Sequence, residues 1–146
     1  MKQIIYLLLL ILIIAGCNPS KKLQAATSNA TLTETYWKLT ELLGKAIKTT
    51  ADNVREAHII LQQKNNMVKG HGGCNSFGGT FELKEGNRIN FSKLISTEMI
   101  CPDMENETVF FKMLGAVDNY TINGNTLQLY KAKMVTAAKF EAVYFK

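Results

Sequence analysis

Gly70-His71-Gly72-Gly73-Cys74-Asn75-Ser76-Phe77-Gly78-Gly79-Thr80-Phe81-Glu82-Leu83-Lys84 is the stretch on which the fold turns. A glycine-rich run cradles phosphate when Gly-Lys-Ser/Thr closes it and a helix follows. Here no Lys closes the run, and Thr80 to Lys84 alternates as a strand does. The dinucleotide-binding pattern fails for the same reason. The glycines are therefore backbone devices that allow positive φ and tight approach at a bulged corner of a β structure. On that reading Gly72, Gly73, Asn75, Gly78 and Gly79 form a structural loop.

Short strands flank the loop on both sides. Tyr36-Trp37-Lys38-Leu39-Thr40-Glu41 alternates, with Trp37 and Leu39 on one face, and a piece from Ala46 to Lys48 can pair back after Gly44. His58 to Gln63 is a strand, Lys64-Asn65-Asn66 turns, and Met67 to Gly70 returns as a hairpin. Beyond the loop, Glu85-Gly86-Asn87 turns into Arg88-Ile89-Asn90-Phe91. Asn123-Gly124 joins Tyr120–Ile122 to Thr126–Tyr130, and Lys139 to Phe145 is the last strand. One segment is helical. Asp103 caps it, Glu105 and Glu107 suit the positive end of its dipole, and Phe110, Met113, Leu114 and Val117 form a stripe that packs on the sheet. The sum is a mainly β, α+β domain: a small antiparallel sheet, partly open and barrel-like or strongly curved, with one packed helix.

Chemistry finds few candidates. Cys74 as a nucleophile with His71 as its base is the enzymatic reading, a small thiol enzyme or hydrolase. A catalytic cysteine also needs an orienting group and an oxyanion site, and one nearby histidine supplies neither. A Cys74–Cys101 disulfide explains the pair more simply. It closes a loop of about 28 residues and stabilises by about 3–4 kcal/mol in the chain-entropy model. Free structural thiols are the remaining option. Zinc held by Cys74, Cys101, His58 and His71 has a spacing unlike a compact zinc module. No metal and no cofactor is assigned. A helix start accounts for the Asp103, Glu105 and Glu107 cluster.

Composition narrows the partners. The chain has 146 residues, 47% of them hydrophobic, which is enough for one packed domain. It carries 17 Lys and Arg against 12 Asp and Glu, a formal charge of +5. Lys2, Lys21 and Lys22 precede the domain; taking these three from 17 leaves 14 against 12, a balance of +2. With Arg55 and Arg88 the only arginines, nucleic acid is not a partner.

The N-terminus is an address. Met1-Lys2-Gln3 is followed by an unbroken apolar run from Ile4 to Ile14, then Ala15-Gly16-Cys17. The run is shorter than the roughly 20 residues of a membrane-spanning helix and has the size of a signal peptide's apolar region. Ile14-Ala15-Gly16-Cys17 resembles a bacterial lipobox, which implies cleavage before Cys17 and lipid on its sulfur; the bland alternative is an ordinary signal peptide with a chance cysteine. Residues 1–16 are thus a lipoprotein signal peptide, 17–34 a lipidated flexible tether, and 35–146 the domain. Asn18, rather than Asp, follows the cysteine, which resembles outer-membrane sorting.

Several landmarks then assemble: Trp37-Lys38-Leu39, the Gly70–Phe81 loop and strand, Ser96-Thr97-Glu98-Met99-Ile100-Cys101, the helix with Phe110 and Leu114, Tyr120, and Gly124-Asn125-Thr126-Leu127-Gln128-Leu129. Their order over residues 34–145 resembles the META domain, the family of the HslJ heat-shock lipoproteins. The resemblance implies a mostly antiparallel barrel-like fold with one helix. It also implies a bacterial envelope setting, associated in some members with heat shock and antibiotic tolerance. It brings no catalytic residues. The expectation is a non-catalytic, membrane-anchored envelope lipoprotein that binds an envelope protein or an apolar ligand. Its action then depends on the anchor and the fold, and on no single polar side chain.

Overall fold

A computed structural model of the chain describes residues 29–48, 55–101, 104–132 and 135–145. Residues 1–28, which include Cys17 and the stretches expected to be signal peptide and tether, lie outside the described residues, as does Asp103.

Among the described residues nine strands form one antiparallel sheet. They are β1 (Tyr36–Leu42), β2 (Lys45–Ala46), β3 (His58–Gln62), β4 (Met67–His71), β5 (Ser76–Lys84), β6 (Arg88–Ser96), β7 (Asn119–Asn123), β8 (Thr126–Lys131) and β9 (Val135–Val143). Their order is β2-β1-β3-β4-β5-β6-β7-β8-β9, and β1 also pairs with β9. That last pairing, from Tyr36↔Val143 to Leu42↔Ala138, bends the sheet into a ring. The ring is not a regular barrel. β6 meets β7 through a single pair, Arg88↔Asn119, while the rest of β6 stays with β5 from Lys84↔Arg88 to Phe77↔Ser96. The one α-helix among the described residues, α1 (Glu105–Leu114), lies in the chain between these two strands.

The alternating pattern explains the core. Trp37, Leu39 and Leu42 of β1, Ile59 and Leu61 of β3, Phe77 and Phe81 of β5, Ile89 and Phe91 of β6, Leu127 and Leu129 of β8, and Phe140 of β9 are buried. Within each strand these are alternate positions that a pleated strand turns to one face, except Leu42, which the register shift between Leu39 and Glu41 brings in. Phe110, Met113, Leu114 and Val117 join the same cluster, so the stripe read from the sequence is the face that α1 buries. Phe110 stands edge-on to Phe77 with ring centroids 6.0 Å apart. The fully buried Trp37 donates its indole N–H to the Leu32 carbonyl at 3.0 Å, so its polar edge is satisfied.

Four expectations need correction. The last strand runs from Val135 to Val143, earlier than Lys139 to Phe145, because its partners set its ends. Lys131↔Val135 opens the pairing with β8, and Tyr36↔Val143 closes the pairing with β1. β6 continues past Phe91 to Ser96, since β5 offers it a partner along its whole length. The helix begins at Glu105 with Met104, rather than Asp103, at the cap position, and no side chain of the described residues caps it. Lastly, residues 30–34, placed in the tether by composition, are part of the fold. Ala30 is buried, its N–H bonds the Gly124 carbonyl at 3.0 Å, and the Glu34 N–H bonds the Leu61 carbonyl at 2.8 Å.

Candidate functional site: a clamped loop, a basic face and an apolar groove

The Gly72–Asn75 loop connects β4 to β5, and α1 holds it. Glu107, in the first turn of α1, is 4% exposed. One of its carboxylate oxygens accepts the backbone N–H of Cys74 at 2.8 Å and that of Asn75 at 2.6 Å. The other accepts the Asn75 side-chain amide at 2.7 Å. Asn75, itself buried, bonds in four directions. Its NH₂ donates also to the Met99 carbonyl at 3.1 Å, and its Oδ1 accepts the Thr97 hydroxyl and the Met99 N–H, both at 2.7 Å. That uses the full capacity of an amide side chain. Three N–H groups meeting one carboxylate are charge-assisted bonds, about twice as strong as neutral ones.

The glycines make this clamp possible. A Cβ on Gly72 would lie 2.7 Å from both Cγ and Oε2 of Glu107 and 2.9 Å from the Phe111 ring. Gly73 has φ of 124°, a backbone conformation that side chains with a Cβ rarely adopt. Gly78 and Gly79 lie within β5, where the register with β6 shifts between Gly78 and Thr80, so the predicted bulge is present. Cys74 and Cys101 form a disulfide with Cα atoms 5.9 Å apart. The sulfur that a Cys74–His71 mechanism needs as a thiolate is therefore covalently occupied.

Glu107 is what the sequence reading missed. A helix start does not account for it: Glu107 is the buried anchor of the loop rather than an exposed partner of the dipole. The signal was present. Counting back three residues along the buried stripe from Phe110 lands on Glu107, and an acid on a buried stripe needs partners. The donors came from a loop more than thirty positions away, separated in sequence by 33 and 32 residues.

On the outer face of the ring, His58 and His71 are cross-strand partners on β3 and β4. Their rings are nearly parallel, with centroids 6.4 Å apart, and Tyr36 stacks on the other side of His58 at 4.3 Å. His58 Nδ1 bonds the Glu56 carbonyl at 2.9 Å. His71 is 4% exposed, and its Nδ1 accepts the Gly73 N–H at 3.1 Å. Burial first, then the positive charge of Arg55 and His58, hold the His71 pKa below its ordinary 6.5, with Glu107 opposing. Burial, with Glu56 close by, pushes the Tyr36 phenol up to about 12. The two histidines and two cysteines do not converge. Among the described residues no group of three or more His, Cys, Asp or Glu is placed to hold a metal ion.

The opposite side of α1 is open. Leu43, Val109, Met113, Ala116, Val117 and Ala137 line a cavity of about 480 Å³, with Lys112 and Lys131 also on its wall. Its size falls in the roughly 300–1,000 Å³ range of ligand pockets. No helix among the described residues is long and apolar enough to cross a membrane.

A family model described as META domain matches residues 30–144. Solved structures are similar in fold. A protein from Burkholderia xenovorans, solved by NMR, aligns at 21% identity over 78% of this chain and 85% of its own, with a TM-score of 0.61. A second NMR structure aligns at 20% identity over 77% of this chain and 94% of its own, with a TM-score of 0.58. A crystal structure of a DUF4847 family protein from Bacteroides vulgatus aligns at 14% identity over 75% and 93%, with a TM-score of 0.53. At these identities the likeness is one of fold. No curated protein matches the chain.

Proposed function

The chain belongs to the META-domain family, and from that premise we propose that it is a non-catalytic, lipid-anchored lipoprotein of the bacterial envelope. It acts there as a stress-related binding or assembly module. It takes an apolar ligand, or an apolar segment of an envelope protein, into the groove beside α1. The observation that carries this reading is the contrast around the helix. The polar groups of the Gly72–Asn75 corner are spent on one another, and the Cys74 sulfur is spent on Cys101. What stays open is an apolar groove lined by Val109, Met113 and Ala116. Such a surface favours binding over bond-breaking chemistry. The lipobox-like Ile14-Ala15-Gly16-Cys17 motivates the anchor and the outer-membrane location.

Site-specific photocrosslinking in intact cells tests both parts. A photoreactive side chain at Ala116, on the groove, should give a discrete protein or lipid adduct. The same group at Glu85, in the exposed β5–β6 turn, should not. Replacing Cys17 by Ser should release the protein from the membrane fraction and abolish the Ala116 adduct. Equal adducts at both positions, or none at either, contradict the groove. A Cys17→Ser protein that stays in the membrane contradicts the anchor.

A further inference from the structure

The outer face of β3 and β4 carries a second cavity, of about 350 Å³, lined by Arg55, His58, Lys69, His71 and Ser76 among others. It lies apart from the groove, and its chemistry is the reverse. Two cations border it, and neither has a carboxylate within salt-bridge distance among the described residues. Glu56, the acid next to Arg55 in sequence, is engaged by Lys38.

His71 makes this more than a basic surface. Its Nδ1 accepts a hydrogen bond from Gly73, which puts the ring proton of the neutral form on Nε2. Among the described residues Nε2 has no hydrogen-bond partner, although His71 is only 4% exposed. Every fully buried side-chain nitrogen and oxygen among the described residues has a partner. An unpartnered Nε2–H is therefore not fully buried, and His71 is one of the residues that line the cavity. The loop fixes this geometry twice. Gly73 N–H orients the His71 ring, and the Gly73 carbonyl accepts the Arg55 N–H at 2.9 Å, which ties the Arg55 backbone to the same turn. Ser76, the strand partner of His71, adds an exposed hydroxyl beside it.

We propose that this cavity binds a phosphate-type oxyanion, free or at the head of a lipid, through Arg55, Lys69, the Nε2–H of His71 and the Ser76 hydroxyl. The guanidinium of Arg55 suits a planar pair of phosphate oxygens, and Lys69 supplies a point charge. The buried imidazole N–H supplies direction, because its ring cannot swing without losing Gly73. The glycine-rich run thus serves an anion indirectly, by positioning His71 and Arg55, rather than by wrapping it with backbone amides.

The test uses the full chain in non-ionic detergent, with the histidine ring resonances followed by NMR. Sodium phosphate is titrated against sodium chloride at equal ionic strength, and in a second arm the micelles are doped with phosphatidic acid. The His71 Nε2–H resonance should shift saturably with phosphate, with phosphatidic acid, or with both, and not with chloride. Saturation by phosphate alone identifies a soluble anion; saturation by phosphatidic acid alone identifies a headgroup. Arg55→Gln and Lys69→Gln should each weaken the response about tenfold or more. Both side chains are exposed, so both variants should fold. Lys84→Gln, in the distant β5–β6 hairpin, should change nothing. A response to neither phosphate nor phosphatidic acid, an equal response to chloride, or an equal loss in Lys84→Gln overturns the site.

Discussion

One helix serves two regions built on opposite terms. Toward the Gly72–Asn75 corner, α1 presents Glu107, a buried acid whose oxygens each meet N–H donors. Toward the groove it presents Val109 and Met113, with Lys112 on the wall and no acid, and Ala116 lies just beyond its end. The corner is closed because burying a charge is costly unless every bond is made. The groove can remain open because exposing a few apolar side chains costs little by comparison. The difference separates two kinds of polar cluster. An acid, an amide and a cysteine gathered around a glycine loop suggest an active site in sequence. In the folded chain they satisfy one another and are structural.

The comparison breaks most visibly at Glu107. Glu107→Ala strands two buried backbone N–H groups and should cost about 4 kcal/mol by denaturant unfolding. A loss under about 1 kcal/mol would show that water replaces the carboxylate freely and that the corner is not closed. Gly72→Ala comes next. Its methyl group would collide with Glu107 and Phe111, and should cost about 2 kcal/mol; an unchanged midpoint would mean that the helix can retreat from the loop at no cost.

His71 sharpens the comparison through pH. Its folded pKa lies below the ordinary 6.5, from burial first and then from Arg55 and His58. The unfolded chain therefore takes up this proton first as pH falls. The stability the group contributes is complete above about 6.5 and is lost as pH drops from there toward the folded value. His71→Gln should flatten the stability curve between about pH 7.5 and about pH 5.5. A wild-type curve that rises toward acid over this window, with His71→Gln removing the rise, contradicts the sign. The smallest effect belongs to the groove. Ala116→Glu should change stability by about 1 kcal/mol or less, in contrast with any change at the corner, while placing a charge where an apolar guest would lie. A large destabilisation there would show that the groove is part of the core.

Much of this architecture was legible in the chain because alternation and turn chemistry are local. Trp37 and Leu39 share a face, Asn123-Gly124 turns a hairpin, and Phe110, Met113 and Leu114 mark the buried side of α1, all within a few residues of one another. Strand ends were less legible. β9 and the second half of β6 extend as far as their neighbours do, and those neighbours are distant in sequence. The clamp was least legible. Glu107 looks like an ordinary first-turn acid until the Cys74 and Asn75 amides arrive from another part of the chain. The cysteine pair was readable, since after Cys17 only two cysteines remain. The relation of His58 to His71 depends on strand register, which spacing alone does not specify.

The central claim is that Glu107 and Asn75 act as one structural unit. A double-mutant cycle in denaturant unfolding, using Glu107→Ala, Asn75→Ala and the pair together, measures it most directly. The claim predicts strong non-additivity, with the double variant costing about 1–3 kcal/mol less than the sum of the single ones. Additive losses, to within about 0.5 kcal/mol, would mean that the two side chains stabilise the loop independently and that the corner is not a clamp.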